Sequence, residues 1–345
     1  MTGLPSILFG SHIDSVPNGG NFDGPLGSLA AIEVVRILDA HDVRTQHPLE
    51  VVVWANEEGV AYGKPLFGSR ATAGQIFEGE LDEVWNGVRK ADAVRAIGGD
   101  PDRITAARRV EASFHCYIEL HIEQGGTLDR TQIPVGIVEG IVTIDRYEAT
   151  VTGLANHAGT TAMTDRRDAL VAASHLTLAV NEIVRDQAGR HVGTVGRQDV
   201  VPNAPNVVPG VVRQTIELRD LSSATLVRLA AAIRERARRI AELTGCEIAI
   251  TPLSHNEGAA ASPAVRRVIG DAADRLALSS HSLPSGAGHD AQSMASLGPI
   301  GMIFVPSVGG ISHSPRELTS WEHCGIGADV LLQAVLGADV SDILA

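Results

Sequence analysis

Polar side chains able to bind a metal ion lie close to the ends of predicted strands. His12 ends the first strand, Asp23 lies in the loop that opens the next helix, and Glu57 and Glu58 follow the second strand. In an open α/β sheet the carboxyl ends of the strands surround a crevice where ligands bind, so one sheet can bring these groups together. Imidazole and carboxylate ligands suit Zn, Mn, Co or Ni. The spacing therefore predicts a metal site.

Two further histidines stand in unusual settings. His121 lies in the stretch 118–125, and His313 follows the glycine pair Gly309-Gly310. Taken singly, each histidine is more often a structural residue, and the Glu57-Glu58 pair is more often a solvated helix start. Two ions that share a bridging carboxylate need about five ligands, and the combined set supplies them. The combination favours a metal centre over an acid–base pair alone.

The predicted elements around these residues form a βαβ unit. A strand over 6–10 runs into His12, apolar positions at helical spacing predict a helix over 24–39, and a β-branched run predicts a buried strand over 49–54. Strand, helix and strand in this order are typical of an α/β domain with a central sheet.

The middle of the chain has a different pattern. Its predicted order is β-α-β-β-α-β, which is that of a ferredoxin-like α+β domain: strand 144–152, helix 167–185, strands 191–200 and 206–218, helix 222–244 and strand 246–251. The α/β pattern then resumes with a helix over 262–277, a strand over 301–305 and a helix over 321–336. We predict a discontinuous catalytic domain, 1–143 with 253–345, and an inserted domain, 144–252.

Composition excludes several classes of function. The chain has 345 residues, a formal net charge of −13 and only 3% aromatic residues, which disfavours nucleic acid and anionic membranes as partners. No apolar run approaches the roughly 18–20 residues that span a bilayer, and residues 1–10 lack a basic segment typical of a secretory signal. Cys116, Cys246 and Cys324 are far apart, so we expect free thiols in the cytoplasm.

Several motifs carry a family resemblance. The chain resembles the N-carbamoyl-L-amino-acid hydrolase and allantoate amidohydrolase family, a hydantoinase/carbamoylase branch of the aminoacylase-like dinuclear metallopeptidases. The likeness covers essentially the whole chain. The motifs are Gly10-Ser11-His12-Ile13-Asp14-Ser15, Asn18-Gly19-Gly20, Phe22-Asp23-Gly24, Asn56-Glu57-Glu58-Gly59, Glu119-Leu120-His121-Ile122-Glu123-Gln124-Gly125, Ser285-Gly286-Ala287-Gly288-His289-Asp290-Ala291 and Ile311-Ser312-His313-Ser314-Pro315.

The resemblance implies a catalytic domain with a central mixed sheet, an inserted lid domain that dimerises, and two divalent ions (Zn, Mn, Co or Ni). His12 and His121 would bind one ion and Glu58 and His313 the other, while Asp23 would bridge them.

It also implies roles next to the ions. Asp14 would hold the His12 imidazole in its metal-binding tautomer. Glu57 would be the general base, which deprotonates the attacking water and then protonates the leaving nitrogen.

The substrate would be a small ureido compound with a carboxylate, most simply an N-carbamoyl-L-amino acid. Arg219 and Asn206 would bind the carboxylate, because a guanidinium binds it in a bidentate manner. The remaining implied contacts to the substrate or the developing oxyanion are Gln124, His157, Gly288 and His289. His157 would reach in from a neighbouring subunit, so we expect a homodimer.

The chain departs from the family pattern in three places. Relatives usually continue Glu-Glu-Gly with one residue and then Arg-Phe, whereas this chain has Val60-Ala61-Tyr62. Relatives have Thr-Pro-Met where this chain has Thr161-Ala162-Met163. Relatives also carry several tens of residues before the first motif, so we expect the first elements of the catalytic domain to be missing here.

Three other functions stay open on the sequence. Allantoate is an alternative substrate, an aminoacylase or dipeptidase activity is a second alternative, and a non-catalytic metal-binding relative is a third. A serine triad of Ser285, His289 and Asp290 is disfavoured, since an adjacent His and Asp cannot form the relay of hydrogen bonds.

Overall fold

The chain folds into two compact units. A computed structural model describes residues 3–344. One unit combines Met1–Ile141 with Ala259–Ala345, and the other is Val142–Gly258. The second unit extends past both ends of the predicted insert, 144–252.

The helices and strands are as follows in chain order. The first part contains β1 (Ser6–His12), α1 (Pro25–Ala40), β2 (Leu49–Trp54), α2 (Phe67–Thr72), β3 (Val84–Trp85), β4 (Val88–Arg89), α3 (Lys90–Ala96), β5 (Phe114–Ile122), α4 (Thr127–Thr131) and β6 (Val135–Ile141). The second unit contains β7 (Thr143–Thr152), β8 (Asn156–His157), α5 (Ala169–Asp186), β9 (Val192–Val201), β10 (Val207–Val208), β11 (Val211–Asp220), α6 (Ser223–Thr244) and β12 (Glu247–Asn256). The last part contains β13 (Ala259–Ala260), α7 (Pro263–Arg275), β14 (Ser280–Ser285), α8 (Asp290–Met294), β15 (Ile300–Val305) and α9 (Trp321–Asp339). No helix within residues 3–344 has both the length and the apolarity needed to cross a bilayer.

A mixed sheet forms the centre of the first unit. Its strand order is β13-β6-β15-β5-β1-β2, and β14 also pairs with β6. β2, β1, β5 and β15 are parallel neighbours, whereas β6 runs antiparallel to β15. The predicted α/β class with a central mixed sheet is confirmed. The carboxyl ends of four strands therefore lie along one edge.

The central strands are buried on both faces. In β1, Ile7 and Phe9 pack in the layer that contains α1, α7 and α9, while Leu8 packs on the opposite side with Trp54 and Tyr117. Successive strand side chains point to opposite faces. A strand covered on both sides is mostly apolar, which explains the apolar run Ile7-Leu8-Phe9 of β1.

The second unit is an α+β fold with a four-stranded antiparallel sheet. The strand order β12-β7-β11-β9 and helices α5 and α6 give the ferredoxin-like arrangement that the sequence predicted. The side chains of Asp168 and Ser222 cap the two helices by accepting hydrogen bonds from backbone N–H groups. Val212 and Ile216 of β11 are buried in the core that these helices share with the sheet.

Two predicted strands have different limits in the structure. The segment 206–218 is divided into β10 and β11, since Pro209, between them, has no N–H to continue the ladder. The final strand continues past Pro252 to Asn256, with a register shift after the proline. β12 is an edge strand, and an edge tolerates proline.

We predict that Gly27→Ala destabilises the protein. A Cβ on Gly27 of α1 would lie 2.0 Å from the Leu120 carbonyl oxygen and 2.8 Å from Ser11 Cβ, so α1 would have to move away from β1 and β5. Overpacking of this kind costs about 1–3 kcal/mol. Gly325→Ala in α9 is the matched control, because its Cβ meets nothing within 4 Å.

Thermal unfolding measures both variants. Gly325→Ala should unfold at or above the parent temperature, since alanine is the better helix former by about 1 kcal/mol. If Gly27→Ala unfolded no earlier than Gly325→Ala, the close contact of α1 with the sheet would be wrong.

Candidate metal centre

The candidate site lies at the carboxyl edge of the sheet in the first unit. β1 ends at His12, and β5 carries His121 next to its last residue. The loop after β2 presents Glu57 and Glu58, and the loop after β15 presents His313. Because the four strands are parallel neighbours, side chains from distant parts of the chain meet at one edge.

Asp23 is the centre of this group. Its carboxylate is 3% exposed, and its Oδ1 lies 3.1 Å from His121 Nε2 and 3.6 Å from His12 Nε2. Its Oδ2 lies 3.3 Å from His313 Nε2, which is also 3.4 Å from Glu58 Oε2. One carboxylate thus faces two sets of ligands, one on each oxygen.

Main-chain contacts set the tautomers of two imidazoles. His12 Nδ1 lies 3.0 Å from the Asp14 carbonyl oxygen, and His121 Nδ1 lies 2.9 Å from the Ile122 carbonyl oxygen. A carbonyl oxygen can only accept, so each Nδ1 carries hydrogen. In the neutral ring, Nε2 then has no hydrogen, and its lone pair is directed at the Asp23 carboxylate. Nε2 and the carboxylate are both acceptors, so a cation or a proton is required between them.

The charges in the site compensate one another. Burial disfavours the ionised form of Asp23, but the positive charge of His121 and the close approach of the His12, His121 and His313 rings outweigh it and hold the pKa of Asp23 well below its usual range. Burial also disfavours the charged form of His121, yet Asp23 and then Glu119 raise the pKa of His121 to about 9. The carboxylate therefore stays ionised and demands positive charge.

The donor set fits divalent cations. His12, Asp23 and His121 offer ligand atoms that lie within 4.8 Å of one another, and so do Asp23, Glu58 and His313. His121 Nε2 and Glu58 Oε1 are buried without a hydrogen-bond partner. Buried polar atoms of this kind are expected where a ligand satisfies them. All five predicted metal ligands are brought together, in the two groups that the family resemblance implied.

Asp14 contacts the His12 ring through its main chain. Its carbonyl, not its carboxylate, accepts from His12, while its carboxylate lies 3.7 Å from His12 Nδ1. The two carboxylate oxygens each accept at 3.1 Å from a backbone N–H, one of Glu57 and one of Glu58. Asp14 therefore fixes the turn that carries both glutamates.

Glu57 lies on the side of His12, with Oε2 3.8 Å from His12 Nε2. Burial raises the pKa of Glu57 well above its usual value, and the nearby charges of Asp290 and Glu119 raise it further. Burial and the charge of Asp23 also raise the pKa of Glu58. A carboxylate in such a setting binds a proton readily, as a general base requires.

A second acidic residue lies beneath the site. The carboxylate of Glu119 is fully buried and accepts three hydrogen bonds, from the Ser11 hydroxyl at 2.8 Å, the Tyr117 hydroxyl at 3.1 Å and the Ala291 backbone N–H at 3.1 Å. With His121 and His289 it forms a third group close enough to hold an ion. Its oxygens are already satisfied, so we assign no ion to this group.

Two of the predicted substrate contacts of the first unit, Gln124 and His289, touch the candidate ligands. Gln124 Nε2 donates to Asp23 Oδ2 at 2.6 Å, from a backbone with φ of 57°. The His289 ring packs edge-on against the His121 ring, with centroids 4.5 Å apart. Gly288 precedes His289 in the loop before α8.

Ser285, His289 and Asp290 do not form a triad. The Ser285 hydroxyl lies 2.8 Å from His289 Nε2, but Asp290 Oδ1 accepts from the Ser69 hydroxyl at 2.5 Å. The carboxylate that would orient the imidazole is thus bonded elsewhere. This agrees with the expectation from the sequence.

Three predicted residues belong to the second unit. His157 of β8 pairs with Val207, and the carbonyl of Asn206 accepts from the Ala158 N–H at 2.9 Å, so His157 and Asn206 lie on neighbouring segments. Arg219 lies on β11, where its Nε donates to Glu217 Oε1 at 2.8 Å.

Sequence reasoning missed Glu317. Its carboxylate is 6% exposed and accepts from the backbone N–H groups of Phe22 and Asp23 and from the hydroxyl of Ser312. The only signal is its place four residues after His313. The Ser69–Asp290 hydrogen bond was missed as well, because the two residues lie 221 positions apart in the sequence.

Several known proteins match this chain along most of its length. The model of peptidase family M20/M25/M40 matches residues 8–337. An N-carbamoyl-L-amino acid amidohydrolase of Geobacillus stearothermophilus is 41% identical over 95% of this chain and 80% of its own length. An allantoate deiminase of Arabidopsis thaliana is 31% identical over 90% of this chain and 65% of its own length.

A solved structure gives the same result for the fold. A hydantoinase/carbamoylase family amidase of Burkholderia multivorans is 37% identical to this chain and superposes with a TM-score of 0.88. The match covers 98% of this chain and 82% of the amidase chain. The chain therefore belongs to peptidase family M20/M25/M40, within its hydantoinase/carbamoylase branch of amidohydrolases.

Proposed function

We propose that the protein is a dinuclear metal-dependent amidohydrolase that cleaves the ureido C–N bond of an N-carbamoyl-L-amino acid. The observation that carries the proposal is Asp23, a buried carboxylate that offers one oxygen to each of two ligand groups. The Geobacillus relative supports the substrate class. The products would be the amino acid, carbon dioxide and ammonia.

The five ligands divide between two ions. His12 and His121 would hold one, Glu58 and His313 the other, and Asp23 would bridge them. This ligand set suits Zn, Mn, Co or Ni. When bound, such ions activate water as a nucleophile and polarise a carbonyl.

Glu57 is the proposed general base. Its backbone N–H is fixed by Asp14, and its buried carboxylate lies beside His12 without belonging to either ligand group. It would take a proton from the attacking water and return it to the leaving nitrogen. Glu58, the next residue, belongs to the ligand group of Asp23 and His313. One turn would therefore supply both the general base and a metal ligand.

Recognition of the substrate carboxylate is assigned to Arg219 and Asn206. Glu217 lies between Arg146 and Arg219 and accepts from both, at 2.6 and 2.8 Å, which holds the Arg219 guanidinium in place. An ordered guanidinium loses less entropy when it binds a carboxylate.

Four further residues complete the proposed substrate site. Gln124 contacts Asp23, His289 packs against His121, and Gly288 precedes His289 in the sequence. His157 would act from the partner subunit. The partner's residue would contact the developing oxyanion.

Allantoate is the second candidate substrate, and the Arabidopsis relative supports it. Allantoate also carries a carboxylate next to ureido groups, so the same Arg219 contact would serve. Turnover of the two compounds by one preparation distinguishes the candidates.

We place the protein in the cytoplasm. Its cysteines support this: Cys116, Cys246 and Cys324 are buried free thiols. Burial raises the pKa of the Cys116 thiol to about 12, so this thiol is unreactive.

The first test separates the two adjacent glutamates. Glu57→Gln should keep both ions and lose about 10²–10⁴-fold in kcat, since it removes proton transfer. Glu58→Gln should instead lose metal, because Glu58 is a proposed ligand. Metal analysis and turnover of an N-carbamoyl-L-amino acid measure both effects.

Chelation is the control for this test. A strong chelator should abolish turnover by the parent protein, and a divalent ion should restore it. Normal turnover by Glu57→Gln would refute the assigned base, and full activity of the metal-depleted parent would refute the metal centre.

The second test concerns Arg219→Ala. Hydrogen bonds to a charged group contribute about 1.5–3 kcal/mol, so kcat/KM on a carbamoyl amino acid should fall roughly 10–100-fold. The corresponding amide lacks the carboxylate. Arg219→Ala should lower kcat/KM on the amide much less, because the mutation and the loss of the carboxylate remove the same interaction. Arg213→Ala is the matched control, on the same strand and the same open face.

Equal losses on the acid and the amide would show that Arg219 does not recognise the carboxylate. The substrate class would then have to be reconsidered. A loss with Arg213→Ala as large as that with Arg219→Ala would point to a general effect on the strand.

The third test concerns the homodimer, which we propose to form through the second unit. Light scattering of the active protein at micromolar concentration should give twice the mass of the 36.2 kDa chain. His157→Ala should lower kcat while the mass is unchanged, because His157 would act across the interface. A fully active monomer would refute both the dimer and this role.

A further inference from the structure

Glu317 joins the two loops that carry Asp23 and His313. Its Oε1 accepts from the backbone N–H of Phe22 at 3.0 Å and from that of Asp23 at 3.1 Å. Its Oε2 accepts from the Ser312 hydroxyl at 2.8 Å. One buried side chain therefore bonds to Asp23 itself and to the residue before His313.

The loop before Asp23 is shaped to admit this carboxylate. A Cβ on Gly20 would lie 2.1 Å from Glu317 Oε1 and 2.4 Å from Glu317 Cβ. No side chain of any size fits at that position while Glu317 keeps its place. Gly20 is therefore a part of the same contact.

The Ser312 hydroxyl completes the connection. Besides Glu317 it lies 3.0 Å from Asp23 Oδ2, and it has one proton to share between the two carboxylates. The backbone and the side chain of Asp23 are thus both tied to the segment 312–317. The bond between Asp23 and Ser312 spans 289 residues of sequence.

We propose that Glu317 is a positioning residue of the metal centre, which holds the Asp23 and His313 loops in their ligand-binding arrangement before an ion arrives. This inference rests on the proposed function, in which both residues are metal ligands. Ordering two loops costs conformational entropy. If Glu317 did not order them, that cost would be subtracted from the binding free energy of each ion.

A purely structural role predicts a different result. A residue that only stabilises the fold would lower the unfolding temperature and leave the metal affinity of the folded molecule unchanged. A positioning residue lowers the affinity at temperatures where the variant is fully folded. Binding of Co²⁺, followed by its visible absorption, reports this affinity without any reaction.

The experiment compares four variants of the whole chain after removal of bound metal. Glu317→Ala should bind Co²⁺ about 10–100-fold more weakly than the parent, as is usual for partners that orient metal ligands. Glu317→Gln should retain most of the affinity, since an amide oxygen can still accept from both backbone N–H groups. Glu322→Ala, at an exposed position in the first turn of α9, should bind like the parent.

Gly20→Ala is the fourth variant, and it tests the same contact while Glu317 stays intact. It should weaken Co²⁺ binding as Glu317→Ala does, and it decides the matter if Glu317→Ala does not fold. Circular dichroism and thermal unfolding before metal is added show that each variant is folded.

Two results would overturn the proposal. One is Co²⁺ affinity of folded Glu317→Ala or Gly20→Ala within about twofold of the parent. The other is a loss in Glu317→Gln as large as in Glu317→Ala. Failure of the parent to bind Co²⁺ would instead overturn the proposed metal centre, and the inference with it.

Discussion

The buried negative charge of Asp23 is the constraint on which the rest of the site depends. An isolated carboxylate cannot be kept in a protein interior unless opposite charge and hydrogen-bond donors surround it. Three imidazoles, an amide and a hydroxyl converge on its two oxygens. These groups come from three distant parts of the chain, at residue 12, at 121–124 and at 312–313, so the demand for compensation at one residue determines which loops must meet.

The parallel sheet brings these loops together while the backbone of the strands stays regular. Unfavourable backbone conformations occur in the loops instead. Gly24 has a φ of 82°, and a Cβ there would overlap the His12 ring at 2.4 Å. The loop after Glu58 contains Tyr62 and Leu66 in the left-handed region, which is unfavourable for bulky residues. The regular strands bring the candidate ligands to one edge of the sheet, and the irregular loops orient their side chains.

Much of the fold could be predicted from local patterns, but less of the site. The apolar period of α1, the β-branched run of β2 and the α+β order of the second unit are encoded within short windows. β5 was not predicted as a strand, because the polar residues Glu119 and His121 interrupt its apolar run. The candidate ligands were named through motifs, and the structure brings them together. The contacts of Glu317 and the Ser69–Asp290 bond join residues hundreds of positions apart, and no short window contains such information.

The order in which the ligands occur along the chain has a consequence for biosynthesis. A ribosome makes His12 and Asp23 first, whereas His313 and Glu317 follow only after the 289 residues that separate Asp23 from Ser312. The nascent chain therefore contains the Asp23 carboxylate long before it contains the groups that neutralise and order one side of it. Contacts of such long sequence separation also form slowly. The complete set of proposed ligands can exist only after the segment 312–317 has left the ribosome, so binding of metal at the proposed site would have to follow the synthesis of both units.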